Sequence, residues 1–325
     1  MLSLHDFSKL NYLKVHNLAS LNKSFFREPV VTVGIFDGMH IGHAQIMDEL
    51  KRKAKKIKGE SVVVTLWPHP RTVLFPGKDI KLLNTLEEKQ ILVEKAGIDH
   101  FVVIPFDFNF SKLSAYDFVN DILIKKIGLR CLMVGFDNHF GHNKEGDFNA
   151  LNNIASDLGF EIIHLDAFFE GVERVSSTGI RVFLELGEVD SAAKLLGYSY
   201  RLTGKVVKGK MLGQSIGFPT ANIEPESLKM LPRIGVYAVT VDVEEGRFMG
   251  MLNIGFRPTI EKLALHKTIE VHIIDYESDL YGKKITVTFA KRLRDEMKFR
   301  SIDELKMALE NDKINTVEVL KRFKS

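Results

Sequence analysis

Short apolar segments that alternate with amphipathic ones restrict the fold of residues 1–184 more than any other feature. Four of the apolar segments have the length of buried strands: VVTVGIF, SVVVTLW, HFVVIPF and CLMVGF. Other segments repeat apolar residues at helical spacing, as in AQIMDELKRKAKKI, TLEEKQILVEKAG and SAYDFVNDILIKKIG. This alternation predicts an α/β domain with a mostly parallel sheet and helices on both faces. Ligands of such sheets bind at the carboxyl ends of the strands, where GIFDGMHIGH and GFDNHFG fall.

A different pattern begins after about residue 198. Five strand-like segments follow one another with turn residues and no helix between them: RLTGKVVKG, GVYAVTVDV, RFMGMLNIG, TIEVHIID and KKITVTFAKRL. They predict a small antiparallel β-barrel, and the end of the chain predicts terminal helical structure that packs against it. A chain of 325 residues is long enough for two domains, which we place at 1–184, with a linker helix, and at 185–325.

The overall composition argues against several classes of protein. A net charge of +3 gives no reason to expect a nucleic-acid partner. The only cysteine, Cys131, lies in an apolar run and excludes an internal disulfide, which fits a reducing compartment. No apolar run approaches the roughly 20 residues of a membrane helix, and the start does not resemble a signal peptide. We therefore expect a cytoplasmic protein without a membrane partner.

The stretch Val30–His43, VVTVGIFDGMHIGH, is typical of a phosphate-binding site. An apolar strand breaks at Gly34 and continues into a helix, whose start offers unpaired backbone N–H groups and the positive end of its dipole. His40 and His43 share one helix face, and Gly42 keeps the surface between them low. Two histidines at this spacing alone are more often solvated side chains. The surrounding glycines favour a site for a nucleoside triphosphate.

Longer motifs occur in both halves of the chain. The first half contains GIFDGMHIGH at 34–43, GFDNHFGHNKEGD at 135–147 and SSTGIR at 176–181. The second half contains GQSIGFPTANI at 213–223, GVYAV at 235–239, LNIGFRPT at 252–259 and IEVHIID at 269–275. Together they resemble the prokaryotic bifunctional riboflavin kinase/FAD synthetase family, the first set its adenylyltransferase half and the second its kinase half. HxGH alone indicates only the nucleotidyltransferase superfamily, whereas PTAN, GVYAV and EVH together are far more specific.

The resemblance implies a Rossmann-like nucleotidyltransferase domain followed by a riboflavin kinase barrel. The barrel would convert riboflavin and ATP into FMN and ADP, and the first domain would convert FMN and ATP into FAD and pyrophosphate, both with Mg²⁺. FMN and FAD are then substrates and products rather than prosthetic groups, and we expect a monomer or a weak homo-oligomer. Two alternatives remain open. One is an adenylyltransferase for another phosphorylated acceptor, with a degenerate second domain. The other is a flavin-binding regulator without turnover.

In the first domain, the resemblance places ATP on the segment 34–43. The catalytic residues that it implies are His40, His43 and Arg181, since imidazole and guanidinium groups suit phosphate oxygens. The other nucleotide-binding or flavin-binding candidates shape the turn or supply polar groups: Gly34, Phe36, Asp37, Gly38, Gly42, Asp137, Ser176, Ser177 and Thr178. Taken alone, SSTGIR is more typical of an ordinary helix N-cap.

In the second domain, the resemblance implies that Glu270 is the general base and that Thr220 and Asn222 are oxygen ligands of Mg²⁺. Alternation along an extended segment puts the last two side chains on the same face. The other nucleotide-binding candidates are Gly209, Gly213, Gly217, Pro219 and Arg294. From the residues alone, Glu270 also fits an exposed salt bridge and Arg294 a solvated rim. Gln214 stands where many family members have arginine, and its effect on ATP binding stays open.

Overall fold

The computed structural model describes residues 13–135, 148–166, 169–170, 173–209, 212–257 and 266–323. The chain forms two compact units, Met1–Val175 and Ser176–Ser325. The sequence places the boundary near residue 184, whereas the structure groups the helix Ser177–Leu186 with the second unit. One reason is a backbone hydrogen bond, in which Arg233 N donates to Leu184 O at 2.8 Å.

The first unit is built on a six-stranded sheet. Its strands are β1 (Lys14–Asn17), β2 (Val30–Val33), β3 (Ser61–Trp67), β4 (His100–Pro105), β5 (Cys131–Gly135) and β6 (Glu161–Leu165). Their order is β1-β4-β3-β2-β5-β6, and every neighbouring pair is parallel. All residues of β2 and β5 are buried. Strands covered on both faces read as continuous apolar runs, which is why the sequence reveals them.

Helices cover both faces of this sheet. They are α1 (Ile41–Lys56), α2 (Pro70–Leu74), α3 (Leu86–Lys95), α4 (Ala115–Asp117, continued by a π-helix over Phe118–Ile127) and α5 (Phe148–Leu158). Val31 and Val33 of β2 pack into a core with the π-helix and α5. Val30 packs into a second core with residues of α1 and α3. The alternating side chains of one strand thus serve two cores, and the predicted α/β architecture is confirmed.

Several shorter elements complete the first unit. Single 3₁₀ turns lie at Lys23–Phe25 and Phe110–Lys112. The short strands β7 (Phe169–Glu170) and β8 (Glu173–Arg174) form an antiparallel pair. Strand β1 is absent from the sequence prediction, because its residues KVHN lack an apolar run.

A histidine pair joins edge strand β1 to β4. His16 and His100 are hydrogen-bonded, with 2.9 Å between His16 Nε2 and His100 Nδ1. Phe26 packs against both rings, with centroid distances of 5.2 Å to His16 and 4.7 Å to His100. The carboxylate of Glu60 lies 3.2 Å from His100 Nε2 and accepts the backbone N–H of Arg27 at 2.8 Å. The buried imidazole of His100 therefore connects β1 to the body of the sheet.

We expect acidification to destabilise the first unit through these two histidines. Burial is the main cause that lowers the pKa of both His16 and His100, and the His100 ring lowers the pKa of His16 further. The folded unit therefore binds protons less readily than the unfolded chain. The contribution of the two histidines to the free energy of unfolding is fully present above the unfolded pKa of about 6.5. It is lost progressively as the pH drops below that value.

Fluorescence of Trp67, the single tryptophan of the chain, reports the melting of this unit. The melting temperature should decrease when the pH is lowered from about 7.5 to about 5.5. The decrease should be smaller in a His16→Asn variant. An unchanged melting temperature in the parental chain over this range would contradict the prediction.

The second unit is a closed antiparallel barrel, as predicted. Its strands are β9 (Arg201–Val207), β10 (Ala221–Pro225), β11 (Gly235–Val243), β12 (Gly246–Arg257), β13 (His266–Ile273) and β14 (Lys284–Arg294). They close in the order β10-β13-β12-β11-β14-β9, because β10 pairs with both β13 and β9. Part of the PTAN segment thus forms the strand that completes the barrel.

Helices α6 (Ser177–Leu186) and α7 (Val189–Leu196) precede the barrel, and α8 (Ile302–Arg322) follows it. A 3₁₀ helix, Leu212–Ile216, lies between β9 and β10. Leu320 of α8 packs on Ala238 and Ala290 of the barrel wall. Within the described ranges, no helix combines the length and the apolar character needed to cross a membrane.

Candidate active sites

The turn between β2 and α1 has an unusual backbone. Phe36, Gly38 and Met39 all have left-handed conformations, with φ angles of 49°, 88° and 40°. Such angles are uncommon outside glycine, and they cluster at functional sites because the surrounding structure must hold them. Gly34 is required for a different reason, since a Cβ there would lie 2.8 Å from Phe36 Cζ. The turn is therefore a shaped element rather than a flexible connection.

Asp37 fixes this turn from inside the unit. Its Oδ1 accepts the backbone N–H groups of Leu83 and Asn84, at 2.9 and 3.2 Å, just before α3. The side chain is only 5% exposed. These contacts agree with the expectation that Asp37 shapes the turn. Lys89 of α3 supplies a second contact, because its Nζ donates to Ile35 O at 2.6 Å.

His40 and His43 form a stacked pair at the start of α1. Their ring centroids are 3.7 Å apart with an interplanar angle of 17°, and the edge of Phe36 meets His43 at 5.3 Å. His40 is the N-cap of α1, and its Nδ1 accepts the backbone N–H of His43 at 3.4 Å. The structure thus brings both predicted histidines together at the N-terminal end of α1, where Gly42 is buried. The N-terminal end of a helix favours anions.

The His43 imidazole is neutral near pH 7. Burial, followed by the nearby His40 and Lys89, holds its pKa well below the usual value of 6.5. A neutral imidazole carries one N–H donor. It can therefore donate one hydrogen bond to a phosphate oxygen.

The SSTGIR segment begins helix α6 in the second unit. Ser176 is the N-cap, and its Oγ accepts the backbone N–H of Gly179 at 3.2 Å. Ser177, Thr178 and Arg181 lie in the first turns of the helix. The capping role of Ser176 is confirmed, and the predicted phosphate contacts of the segment stay a prediction. Asp137 lies outside the described residues.

Glu270 lies in a row of polar residues across the barrel. Strand pairing places Asn222 of β10 on one side of it and Asn253 of β12 on the other. Directly paired residues have side chains on the same face of a sheet. Asn253 is a candidate that the sequence does not single out. The signal that reveals it is register, which only the closed barrel defines.

Glu270 and Asn253 line a cavity of about 400 Å³, here called the Glu270 cavity. Its walls are largely apolar, with contributions from Phe218, Met251, Met297, Phe299 and Leu309. Deep apolar pockets with a few convergent polar groups are typical of small-molecule sites. This cavity can therefore take an apolar ring system and present the Glu270 carboxylate to it.

Arg294 also lines the Glu270 cavity, where α8 holds it in place. Its Nε lies 3.0 Å from Asp312 Oδ1 and its Nη2 lies 2.7 Å from Asp312 Oδ2, so the pair is bidentate. Asp312 is only 3% exposed. Arg294 is thus an oriented cation rather than a solvated rim residue, and the sequence gives no sign of its partner.

A second cavity, here called the Tyr281 cavity, has a volume of about 430 Å³. Val206, Lys208, Gly209, Pro219 and Tyr281 are among its lining residues. Thr220 lines both cavities, so the predicted metal ligand lies where they meet. Lys208 Nζ lies 5.6 Å from the centroid of the Tyr281 ring, which places a cation at this cavity.

The predicted glycines of this unit allow close packing within the protein. A Cβ at Gly209 would overlap the Asn222 amide, and one at Gly213 would overlap Phe218 O. Gly217 has a φ of 86° and needs glycine for its conformation. Pro219 O accepts a hydrogen bond from His272 Nδ1 at 2.8 Å, which fixes the chain just before Thr220. The side chain of Gln214 lies outside the described residues.

Comparison with known proteins assigns a family to each unit. A model described as FAD synthetase matches residues 22–179, and one described as riboflavin kinase matches residues 196–320. A crystal structure of a protein described as a macrolide-efflux protein from Streptococcus pneumoniae is similar, with a TM-score of 0.84 and 28% identity over 96% of this chain and 100% of that chain.

Curated relatives named bifunctional riboflavin kinase/FMN adenylyltransferase match nearly the whole chain. The protein from Escherichia coli (strain K12) is 36% identical over 94% of this chain and 96% of its own length. The Haemophilus influenzae protein is 36% identical over 90% of this chain and 93% of its own length. By these matches, the chain belongs to the bifunctional riboflavin kinase/FMN adenylyltransferase family.

Proposed function

We propose that the chain makes FMN in the barrel, with Glu270 as the base, and FAD at the start of α1, with His40 and His43 at the phosphates. Both activities are those of its family: phosphorylation of riboflavin by ATP, and adenylylation of FMN by ATP. The observation that carries the assignment of residues is the position of Thr220, which lies between the Glu270 cavity and the Tyr281 cavity.

The barrel offers a place for each substrate of the kinase reaction. The apolar walls of the Glu270 cavity suit the flavin ring, and the Tyr281 cavity, beside Lys208, suits ATP. Glu270 accepts the proton of the ribityl 5′-hydroxyl as that oxygen bonds to the γ-phosphorus. The bond between this phosphorus and the β,γ-bridging oxygen breaks, and ADP leaves with the electron pair.

Thr220, where the two cavities meet, and Asn222, next to Gly209 of the Tyr281 cavity, fit the predicted Mg²⁺. Thr220 offers an exposed hydroxyl, and Asn222, beside Gly209, offers an amide oxygen. Both are hard oxygen donors, and a magnesium ion in such sites completes its coordination with phosphate oxygens and water. In the described part of the chain, no three His, Cys, Asp or Glu side chains are grouped to hold a metal. Bound there, Mg²⁺ would neutralise charge on the phosphate oxygens.

Asp312 is expected to position Arg294 beside the flavin. An Asp312→Asn change removes the charge that orients the guanidinium and leaves Arg294 poorly paired. We expect kcat/KM of riboflavin phosphorylation to fall about tenfold while FMN adenylylation keeps its rate. Initial rates of FMN formation check this. Glu318→Gln, in an exposed pair on the same helix, is the control. An unchanged kcat/KM in the Asp312 variant would contradict the assigned role.

The adenylyl transfer needs no covalent enzyme intermediate. A phosphate oxygen of FMN attacks the α-phosphorus of ATP, the bond to the α,β-bridging oxygen breaks, and pyrophosphate leaves. In this proposal, the start of α1 and the neutral His43 stabilise the charge that develops on the leaving group. The contribution of Arg181 and of the hydroxyls of Ser176, Ser177 and Thr178 stays a prediction from the sequence.

A single incubation tests both activities. Purified protein with riboflavin, ATP and Mg²⁺ should produce FMN and then FAD, which chromatography separates. Accumulation of FMN without FAD would refute the adenylyltransferase role of the first unit, and no conversion would favour the flavin-binding regulator.

Four further expectations from the sequence stay predictions. They are the cytoplasmic location, the monomeric or weakly associated state, the lack of nucleic-acid or membrane partners and the functional boundary near residue 184.

A further inference from the structure

Lys89 is a buried lysine that contacts the turn between β2 and α1 in the first unit. Its side chain lies on α3 and is only 2% exposed. The ammonium group donates to Ile35 O at 2.6 Å, lies 3.5 Å from Thr65 Oγ1, and sits 5.5 Å from the centroid of the Trp67 ring. Lysines are almost never fully buried unless they are paired. A lysine that is buried with these contacts is therefore a candidate for a functional role.

The contact with Ile35 acts on the turn directly before its first left-handed residue. Ile35 stands between Gly34 and Phe36, which has a φ of 49°. Two residues further on, Asp37 is held by the backbone N–H groups of Leu83 and Asn84. The segment 83–89 therefore forms hydrogen bonds with the turn at two residues, Ile35 and Asp37. This segment comprises the start of α3 and the residues just before it.

The charge of Lys89 affects the pKa of His43 at the start of α1. Burial lowers the pKa of Lys89 from 10.5 to about 8, against the opposing effect of the Asp37 carboxylate. The ammonium form therefore predominates at neutral pH. Together with burial and His40, this charge lowers the pKa of His43, which lies in the first turn of α1.

We propose that Lys89 is a positioning residue for adenylyl transfer, which clamps the Ile35 carbonyl and so holds the turn that aims the start of α1 at the ATP phosphates. The proposal rests on the assignment of ATP to the segment 34–43 made above. Lys89 does not bind phosphate itself, because its ammonium is enclosed beneath the turn and already donates to a backbone carbonyl.

The test is a Lys89→Met variant, which keeps the length of the side chain and removes the ammonium. The kcat of FMN adenylylation, expressed per molecule whose first unit is folded by the thermal melting of Trp67 fluorescence, should fall about 10²-fold, since small errors in alignment have effects of this size. The KM for ATP should change much less. Riboflavin phosphorylation by the same chain should keep its rate. Lys95→Met, an exposed lysine on the same helix, is the matched control and should keep both rates.

A Lys89→Met protein whose kcat per molecule with a folded first unit equals that of the parental chain would overturn the proposal, even if its melting temperature fell. His43→Ala separates this failure from failure of the site itself. If His43→Ala also keeps FMN adenylylation, the assignment of ATP to this turn is wrong. If His43→Ala is inactive, only the role of Lys89 is wrong.

Discussion

Glu270→Gln is expected to reduce kcat of riboflavin phosphorylation about 10²- to 10⁴-fold, the usual contribution of a general base. Glutamine keeps the size of the side chain and its place between Asn222 and Asn253 but cannot take the proton of the ribityl hydroxyl. FMN adenylylation should continue at the parental rate, because Glu270 has no part in the proposed adenylyl transfer. The rates of FMN formation from riboflavin and of FAD formation from FMN, measured separately, check both parts.

The matched control is Glu224→Gln, an exposed glutamate on β10. It should keep both rates. If Glu270→Gln retained full riboflavin phosphorylation, Glu270 would not be the base, and the proposed mechanism of the barrel would be wrong.

His43→Ala should have the opposite effect on the two activities. Removing the neutral imidazole takes away a hydrogen-bond donor for the leaving pyrophosphate and the ring that stacks on His40. The kcat of FMN adenylylation should fall about 10²- to 10³-fold, as it does when one donor to a developing charge is lost. Riboflavin phosphorylation should keep its rate. Separate assays of FAD and FMN formation measure the effect.

His164→Ala, an exposed histidine on β6, is the control for this change. Loss of both activities from either His43→Ala or Glu270→Gln would show that the two sites are not independent. That outcome would contradict the assignment of one reaction to each unit.

The fold could be predicted from the sequence where burial leaves a one-dimensional pattern. Strands β2 and β5 are covered on both faces and read as apolar runs, and the barrel strands are separated by turn residues. The boundary near residue 184 is different. Which unit a short amphipathic helix such as α6 packs against depends on tertiary contacts, such as that of Arg233 N with Leu184 O.

The candidate sites show the same division. His40 and His43 are close in sequence, and the N-cap and first turn of α1 bring their rings together. Lys89 and Ile35 are 54 residues apart, and Arg294 and Asp312 are 18 apart. Contacts of this kind depend on how α3 and α8 dock, and no local motif encodes it. The sequence therefore reveals the groups that face the substrates but not the buried groups that hold them in place.

Thr220 lines both the Glu270 cavity and the Tyr281 cavity. With a donor nucleotide in one and a flavin in the other, the two substrates would occupy the barrel at the same moment, separated by the width of a single side chain. The phosphoryl group would then pass straight from one substrate to the other. The order of events in the barrel would be assembly of both substrates first and chemistry second, with no phosphorylated form of the protein between them.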